Sequence, residues 1–435
     1  MSKRSLARRG LACVSLVTLP ALAAAQTETT PDEKVNDRLD RLEKENAELQ
    51  RKFDMLAAEQ QDNLLSSLVP AMGDGQKGLA PAASKVYLVD QGVSIGGYGE
   101  AIYQNFAGDK IDQADFLRAI LYFGYRFNEA WIFNSEIEFE HASTGAGGEA
   151  SVEFAYLEYN ASTTFGVRAG LLLVPMGFIN ELHEPQTFLG ATRPETETRI
   201  IPSTWRENGV GVFGEAGPIT YRAYVLNGLD ATGFSDKGLR GGRQKGSRAK
   251  AEDLAFVARA DWTDTPGVLV GGSVYYGNSG QEQAGLGDTT TTIAEAHGEL
   301  RTGGLWARGL YAFASVDDVA ELNAARFAAD PNLTAADSVG EELRGGYVEL
   351  GYDILPLMKG LKSKATSSLS PFVRYEMIET QADVPAGFMM RQRNDFDVLT
   401  VGFAYQPIDN VIVKLDFQDY GDGNDRVSLT MGYAF

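Results

Sequence analysis

The chain has 435 residues, a hydrophobic fraction of 44% and a formal net charge of −20. Its length exceeds the ~250–300 residues at which one compact core usually stops growing, and its hydrophobic fraction is too high for a disordered chain. A chain this acidic repels nucleic acid and anionic surfaces unless its basic residues cluster, so we expect no nucleic-acid partner.

Residues 1–25 have the pattern of a secretory signal peptide. A basic start precedes the apolar segment 11–22, which is too short to span a bilayer, and the small residues 23–25 form a cleavage site. We expect this segment to be removed together with Cys13, the single cysteine. The mature chain then has neither a disulfide nor a thiol nucleophile. A lipoprotein signal is the alternative, although Cys13 precedes most of the apolar segment.

Residues 26–65 are predicted to form a short α-helical coiled coil. Apolar residues recur at alternating spacings of four and three, with Asn46 on the same seam: Val35, Leu39, Leu42, Leu49, Phe53 and Leu56. This heptad spacing is typical of a coiled coil, in which one polar seam residue fixes register and strand number. An amphipathic helix packed on its own chain is the alternative, but the long charged face favours an oligomer.

Residues 66–90 are rich in glycine and proline, which predicts a flexible linker. From residue 91 onward apolar and polar residues alternate. After the signal no apolar run reaches the 18 or more residues that a transmembrane helix needs. An exported chain of this kind can cross a membrane only as a closed β-barrel, because lipid offers no partner to unpaired backbone groups.

The alternation is clearest at residues 427–435, where every odd position is apolar. Segments of this type are roughly 10–13 residues long, the length that a tilted strand needs to cross hydrocarbon, and several end in aromatic residues, as in an interfacial girdle. Soluble sandwiches also alternate, but their strands average about 5–6 residues. The pattern therefore favours an all-β transmembrane barrel.

About sixteen antiparallel strands are predicted in the barrel domain, residues 91–435. They span approximately 91–105, 115–127, 129–141, 150–160, 164–174, 207–215, 218–228, 253–263, 267–277, 291–301, 304–315, 343–354, 371–379, 397–406, 410–419 and 427–435. Short turns alternate with long loops, which is the pattern of bacterial outer-membrane barrels. An even number of strands leaves both ends on one side, so the helical segment is expected in the periplasm.

A sixteen-stranded barrel encloses a water-filled lumen, which predicts the passage of small solutes. The last strand is expected to pair with the first near Val93. The terminal Phe435 is similar to the signal that the barrel-assembly machinery recognises.

The longest insertion, residues 175–206, is expected to fold inward and narrow the lumen; a surface loop over the rim is the alternative. It carries acids and bases together: Glu181, His183, Glu184, Arg193, Glu195, Glu197, Arg199 and Arg206. Facing acidic and basic rows at a constriction orient polar solutes through a transverse field. Arg193, Arg199 and Arg206 are therefore constriction candidates.

A second long loop holds a basic cluster: Lys237, Arg240, Arg243, Lys245, Arg248 and Lys250. In an acidic chain such a cluster predicts a mouth that attracts anions. A solvated loop that pairs with anionic lipopolysaccharide or with neighbouring acids is the alternative.

Charged residues also occupy the polar phase of the strands. The pore candidates among them are Arg118, Arg168, Arg259 and Arg374. Acids occur there as well, and many of these charges are expected to pair across strands. The numbers of basic and acidic residues on the strands therefore do not establish the ion selectivity of the lumen.

Enzymatic activity is not expected. The three histidines, His141, His183 and His297, lie in different segments, with no nucleophile or metal-ligand spacing beside them. We accordingly predict no catalytic residues, no metal site and no cofactor.

Seven short stretches resemble the phosphate-selective porin O and P family: residues 93–100, 165–171, 205–210, 225–228, 256–259, 372–376 and 399–402. The resemblance implies a trimeric sixteen-stranded porin with a constriction loop and a preference for phosphate or other anions. The best-known members line the pore with a ladder of arginines, whereas the arginines here are spread and matched by acids.

These observations predict a passive outer-membrane channel for small hydrophilic solutes, with a preference for anions such as phosphate. We expect a homotrimer in contact with outer-membrane lipid and lipopolysaccharide. A non-selective general porin is one alternative, and a plugged structural or adhesive outer-membrane protein is the other.

Overall fold

The computed structural model describes residues 31–68, 70–145, 147–358, 367–421 and 423–435. The predicted signal peptide lies outside these ranges, as do residues 26–30 of the predicted coiled-coil segment. The chain divides into two compact units, Met1–Asn63 and Leu64–Phe435.

Helix α1 spans Pro31–Leu68 and is 38 residues long. Proline suits its first position, where the missing N–H has no helical partner to lose. The apolar seam predicted from the heptad spacing is exposed, from 54% at Leu39 to 72% at Phe53. Association through this seam stays a prediction. Within the described ranges, no helix is both long and apolar enough to cross a membrane.

The second unit is built from sixteen strands. They are β1 (Gly92–Phe106), β2 (Gln113–Arg126), β3 (Trp131–Glu140), β4 (Glu149–Asn160), β5 (Gly166–Leu173), β6 (Arg206–Ala216), β7 (Ile219–Asn227), β8 (Leu254–Trp262), β9 (Val268–Asn278), β10 (Thr290–Thr302), β11 (Leu305–Val316), β12 (Glu342–Tyr352), β13 (Ser368–Asp383), β14 (Asp395–Ile408), β15 (Val411–Asp419) and β16 (Arg426–Ala434). Each pairs with its neighbours in the chain, and β1 closes the barrel against β16. The predicted all-β barrel and its strand number are confirmed.

The alternation predicted for the last strand separates its two faces. Leu429, Met431 and Tyr433 are exposed on the outside by 44%, 54% and 38%. Ser428 and Thr430, which alternate with them, are fully buried inside the barrel. An apolar outer face around a polar interior is the arrangement of transmembrane barrels.

The register between the first and last strands differs from the prediction. The pairing begins at Tyr98 opposite Ala434, while Val93 lies opposite Tyr125 of β2. Closing a barrel requires a stagger between strands, so the start of β1 extends past the end of β16. Two backbone hydrogen bonds between Gly97 and Phe435, of 2.9 and 3.0 Å, mark the edge of the pairing.

Short turns join the strands at one rim of the barrel, called here the short-turn rim, except for the longer connection between β12 and β13, residues 353–367. Longer loops join the strands at the other rim, the long-loop rim. The loop between β11 and β12 contains a helix, Val319–Ala329, that the sequence analysis did not anticipate. A period of two indicates strands and gives no signal for a short helix inside a loop.

Two segments fill much of the barrel interior: the loop 174–205 and the N-terminal residues 79–89. In the latter, Leu79, Ala82 and Val86 are exposed by 3% or less, and Ala83–Tyr87 form a 3₁₀ turn. This part of the predicted flexible linker is therefore packed. Glycine and proline indicate chain reversals, and they do not distinguish a reversal in solvent from one inside a lumen.

Candidate functional site

The loop 174–205 lies inside the barrel and does not cover the rim. Ile179, Ile200 and Trp205 within it are fully buried. Asn180 joins the two ends of the loop, because its side-chain amide donates to the carbonyls of Val174 and Trp205 at 2.7 and 2.8 Å. Its side-chain oxygen accepts from the Trp205 N–H at 2.7 Å. The surface-loop alternative does not hold.

Charged side chains of the wall hold the backbone of this loop. Lys414 donates to the carbonyl of Gly190 at 2.9 Å, and Asp416 accepts from the N–H of Ala191 at 2.6 Å. On the other side of the barrel, Arg308 donates to the carbonyl of Thr187 at 3.0 Å. Several inward-facing charges therefore satisfy loop backbone groups that would otherwise be buried without partners.

The acids of the loop also turn toward partners. Glu197 accepts from the hydroxyl of Tyr347 at 2.6 Å and from the N–H of Ile179 at 2.7 Å. His183 lies 3.1 Å from Glu136 of β3, and burial lowers the pKa of His183 to about 4. The histidine is thus neutral at pH 7.

Two cavities open between this loop and the long-loop rim, with volumes of about 400 and 240 Å³. They share Glu195, Thr198 and Arg240 in their linings. Their charged lining comprises seven cations, Arg118, Arg193, Arg199, Lys237, Arg240, Arg243 and Arg426, and two acids, Glu100 and Glu195. We call this region the basic vestibule.

Three arginines of the basic vestibule have no described carboxylate within 4.0 Å: Arg193, Arg240 and Arg243. Burial, followed by the neighbouring Arg240, lowers the pKa of Arg243 to about 9, so it is still charged at pH 7. Arg118 is compensated in part by Glu100 at 3.1 Å, and Arg199 and Arg426 lie 2.7 and 3.9 Å from Glu195.

The backbone at Ser203 and Thr204 positions these guanidinium groups. Arg243 donates to the Ser203 carbonyl at 2.5 Å and to the Thr204 carbonyl and hydroxyl at 2.9 and 2.7 Å. Arg240 donates to the same hydroxyl at 3.1 Å. Thr204 has a φ of 52°, a left-handed conformation that a β-branched residue rarely adopts. Such strain persists only where the surroundings impose it, often at functional sites.

The short-turn half of the lumen is charged in a different way. Its cavity of about 600 Å³ is lined by four cations, Lys77, Arg222, Arg259 and Arg301, and by four acids, Asp74, Glu181, Glu215 and Asp261. All four cations are paired: Lys77 lies 3.0 Å from Glu158, and Arg301 lies 2.8 Å from Glu299. We call this region the paired vestibule.

Asp261 is the centre of one network in the paired vestibule. It lies 2.5 Å from Arg222 and 2.8 Å from Arg259, and 2.9 Å from His297. Arg259 also binds the carbonyl of Gly177, which anchors the start of the interior loop.

The structure brings together only some of the candidates proposed from the sequence. Arg118, Arg193, Arg199, Lys237, Arg240 and Arg243 line the basic vestibule. Arg206, Arg168, Arg259 and Arg374 are buried in ion pairs. Lys245 and Lys250 pair with Glu149 and Asp230 near the rim, and Arg248 is exposed.

Arg426 was missed as a candidate. It begins β16, donates to the hydroxyl of Tyr420 at 2.6 Å and lies 3.9 Å from Glu195. The signal that could have revealed it was its place at the loop end of a strand, where an inward charge faces the mouth.

Two further features bear on chemistry. The three histidines stay apart, each against its own carboxylate: His141 with Asp115, His183 with Glu136, and His297 with Asp261 and Glu295. Within the part of the chain that the structure describes, no group of three or more potential ligands is arranged to hold a metal ion.

No family model matches the chain. A protein of Aquifex aeolicus (strain VF5), described as uncharacterized, is 38% identical over 372 residues, which cover 83% of this chain and 84% of that protein. OmpF of Salmonella typhi, solved in complex with daunomycin, aligns with a TM-score of 0.54 at 11% identity, over 80% of this chain and 98% of that chain. The outer membrane channel DcaP of Acinetobacter baumannii aligns with a TM-score of 0.49 at 15% identity, over 79% and 97%. The OmpF likeness supports a porin-like barrel fold.

Proposed function

This chain belongs to the same family as the Aquifex aeolicus protein, and we propose that it is a passive diffusion channel of the bacterial outer membrane that prefers small anions. The observation that carries the preference is the basic vestibule, where seven cations face two acids in a chain of net charge −20. The outward apolar face of the strands supports a membrane location.

The basic vestibule can attract anions because its charges are local and incompletely neutralised. A cleft with one dominant sign of charge and low-dielectric walls raises the local concentration of the opposite ion. Arg193, Arg240 and Arg243 have no described carboxylate within 4.0 Å, and guanidinium groups bind phosphate and carboxylate in bidentate geometry. Phosphate is therefore a solute that this lining suits, in agreement with the family resemblance seen in the sequence.

A reversal potential measured across a planar bilayer in a salt gradient tests the preference. We expect the anion-selective sign for the native channel and a weaker preference for Arg240→Gln. Arg248→Gln is the matched control, because it removes the same charge from the same loop at a position that lines neither cavity of the basic vestibule. A cation-selective native channel would contradict the anion proposal, and inorganic phosphate that leaves the chloride current unchanged would contradict phosphate in particular.

A plugged structural or adhesive protein is the second candidate function. The observation that favours it is the filling of the interior by the loop 174–205 and by residues 79–89, which are largely buried. The same bilayer experiment separates the two, since a barrel that inserts but carries no current is plugged. A current that shows no preference for anions or cations favours a non-selective porin.

A homotrimer is part of the proposal. The exposed seam of α1, from Val35 to Leu56, offers an apolar stripe that a parallel coiled coil buries, with Asn46 fixing the register. Replacing Leu42 and Leu49 by glutamate is expected to weaken the oligomer in analytical ultracentrifugation, whereas Lys44→Ala, on the side of the helix opposite the seam, leaves it unchanged. Equal oligomeric states in all three proteins would contradict a role of the helix in assembly.

The proposed partners outside the oligomer are outer-membrane lipid, lipopolysaccharide and the barrel-assembly machinery. Phe435, which is 41% exposed, is proposed to be the residue that the machinery recognises. Phe435→Ala is expected to slow membrane insertion. The measurement is the appearance over time of the folded barrel, which is recognised on gels by its heat-modifiable mobility.

A further inference from the structure

Residues 75–89 of the predicted linker occupy the interior of the barrel near the short-turn rim. We call them the N-terminal plug segment. Ala82, Ser84 and Val86 are exposed by 2% or less, and Leu79, Ala82 and Ala83 belong to the same buried cluster as Tyr98 and Phe154 of the wall. The segment also forms one side of the 600 Å³ cavity of the paired vestibule.

The wall holds the N-terminal plug segment through polar side chains of adjacent strands. Asn134 of β3 donates to the carbonyl of Ala83 at 3.0 Å. Arg126 of β2 donates to the carbonyls of Tyr87 and Val89 at 3.1 and 3.0 Å. These bonds are made to backbone atoms, so they fix the position of the segment.

Glu158 of β4 completes the polar contacts with the wall. It accepts from the hydroxyl of Tyr87 at 2.8 Å and pairs with Lys77 at 3.0 Å. The two ends of the segment are thereby tied to the same carboxylate.

Two glycines of the wall make room for the segment. A Cβ atom at Gly124 would lie 2.6 Å from the side chain of Val86, and one at Gly96 would lie 2.7 Å from the carbonyl of Ala82. Real Cβ atoms essentially never approach this closely. The interior face of β1 and β2 is therefore shaped to receive residues 82–86.

Glu184 of the interior loop makes hydrogen bonds to the same segment. The carboxylate of Glu184 accepts from the N–H groups of Ala82 and Ala83 at 3.1 and 2.9 Å. Burial raises the pKa of Glu184 to about 7. The carboxyl group of Glu184 thus links the loop that narrows the lumen to the backbone of the segment that enters the barrel from the N-terminal side.

We propose that the N-terminal plug segment is a removable plug of the barrel, latched by Glu184, and that its departure widens the passage at the short-turn rim. This inference rests on the proposed function as a diffusion channel. Ala82, Ala83 and Ser84 at the centre of the segment are small and expose little apolar area on release, and Leu79 and Val86 are its larger buried apolar side chains. Polar contacts, which water can replace, supply the rest of its hold.

A disulfide between the segment and the wall tests whether the plug must move. In a Cys13→Ala background, Val86→Cys and Gly124→Cys place two thiols against each other, with a Cβ separation that a small shift brings to the ~3.8 Å of a disulfide. We expect the oxidised full-length channel to stay at its lowest conductance level, and dithiothreitol to restore a level at least twofold higher. The measurement is single-channel conductance in a planar bilayer.

Each single-cysteine variant is the control, because it carries the same change of side chain and cannot form the cross-link. Both are expected to conduct equally with and without dithiothreitol. A cross-linked channel that conducts as well as the reduced one overturns the plug.

Cysteine labelling tests the latch without any current. Ala83→Cys is expected to react slowly with a membrane-impermeant maleimide, and the reaction is expected to become at least tenfold faster when Glu184→Gln is added. The control is Glu215→Gln, which removes an exposed carboxylate from the cavity that the segment lines, whereas the hydrogen bonds to Ala82 and Ala83 come from Glu184. Equal labelling rates in the two backgrounds overturn the latch.

The two experiments together distinguish the plug from the channel proposal. Conductance that is present but insensitive to the cross-link overturns the plug alone. Faster labelling in Glu184→Gln together with a barrel that never conducts, even when reduced, overturns the diffusion channel and with it the gating role of the segment.

Discussion

The basic vestibule and the paired vestibule contain similar residue types but use them differently. Around the first, seven cations face two acids; around the second, four cations face four acids. The paired charges hold the interior loop and the N-terminal plug segment in place, as Asp261 does through Arg259 and Arg222. Arg193, Arg240 and Arg243 in the basic vestibule have no described carboxylate within 4.0 Å, so their charge is available to a solute.

The largest expected effect comes from breaking a buried pair. Arg374 is fully buried, 2.9 Å from Glu376 and 3.3 Å from Glu349. Arg374→Met leaves both carboxylates without their cation, which typically lowers the free energy of unfolding by about 3–5 kcal/mol. Urea unfolding of the inserted barrel, followed by tryptophan fluorescence, measures the change.

Arg344→Met is the matched control for that experiment. Arg344 also pairs with a carboxylate, Glu379, at 2.7 Å, but its side chain is half exposed and water replaces the lost partner. We expect little change in the unfolding midpoint. Equal losses in the two variants would contradict the structural role assigned to buried pairs.

The next effect concerns pH. The pKa of Glu184 in the folded protein, about 7, lies above its ordinary value of 4.5. A raised pKa favours the protonated form in the folded state, so its stabilising contribution is complete below pH 4.5 and is lost as the pH rises through 7. The loss amounts to roughly 3 kcal/mol.

Comparing the native protein with Glu184→Gln isolates this carboxyl group. The variant cannot ionise at this position, so it does not lose this stability as the pH rises. We therefore expect the free energy of unfolding of the variant, minus that of the native protein, to increase between pH 5 and 8 in urea unfolding. Glu215→Gln, at an exposed carboxylate of the paired vestibule, is the control for loss of a carboxylate. A constant difference between the Glu184→Gln variant and the native protein across this range would disprove the assignment.

The smallest expected effect tests whether ion pairing alone accounts for the different attraction of the two vestibules for anions. Asp261→Asn removes a charge that faces Arg222 and Arg259, so the paired vestibule should become more attractive to anions. We expect the anion-to-cation permeability ratio to rise roughly two- to fivefold, less than the tenfold that 1.4 kcal/mol produces. Lys250→Gln, which changes a charge at the rim beside Asp230, should leave the ratio unchanged.

The predictable part of this protein is the part governed by local periodicity. Leu429, Met431 and Tyr433 alternate with Ser428 and Thr430, and that period of two was enough to predict a strand with one apolar face. Repeated along the chain, it predicted the closed barrel of sixteen strands. The long insertion at residues 175–206 was also visible, because length and charge are local properties.

The site was predictable only in part. Arg118 and Arg168 occupy equivalent polar positions of their strands and both pair with acids, at 3.1 and 2.8 Å, yet only Arg118 lines the basic vestibule. Arg240 and Lys250 belong to one basic loop, yet only Arg240 lines a cavity beside Arg193. Which cation finds a carboxylate depends on strands and loops that are distant in the chain.

The sequence by itself determined the wall of this protein, because the outward and inward faces of a strand follow from alternation alone. Only the tertiary structure decided what fills the lumen. The packing of residues 79–89 against Gly96 and Gly124, and their contact with Glu184, join segments that are far apart in the chain. Neither the hydrophobic period nor the composition of the sequence predicts these tertiary contacts, because they depend on the closure of the barrel around both segments.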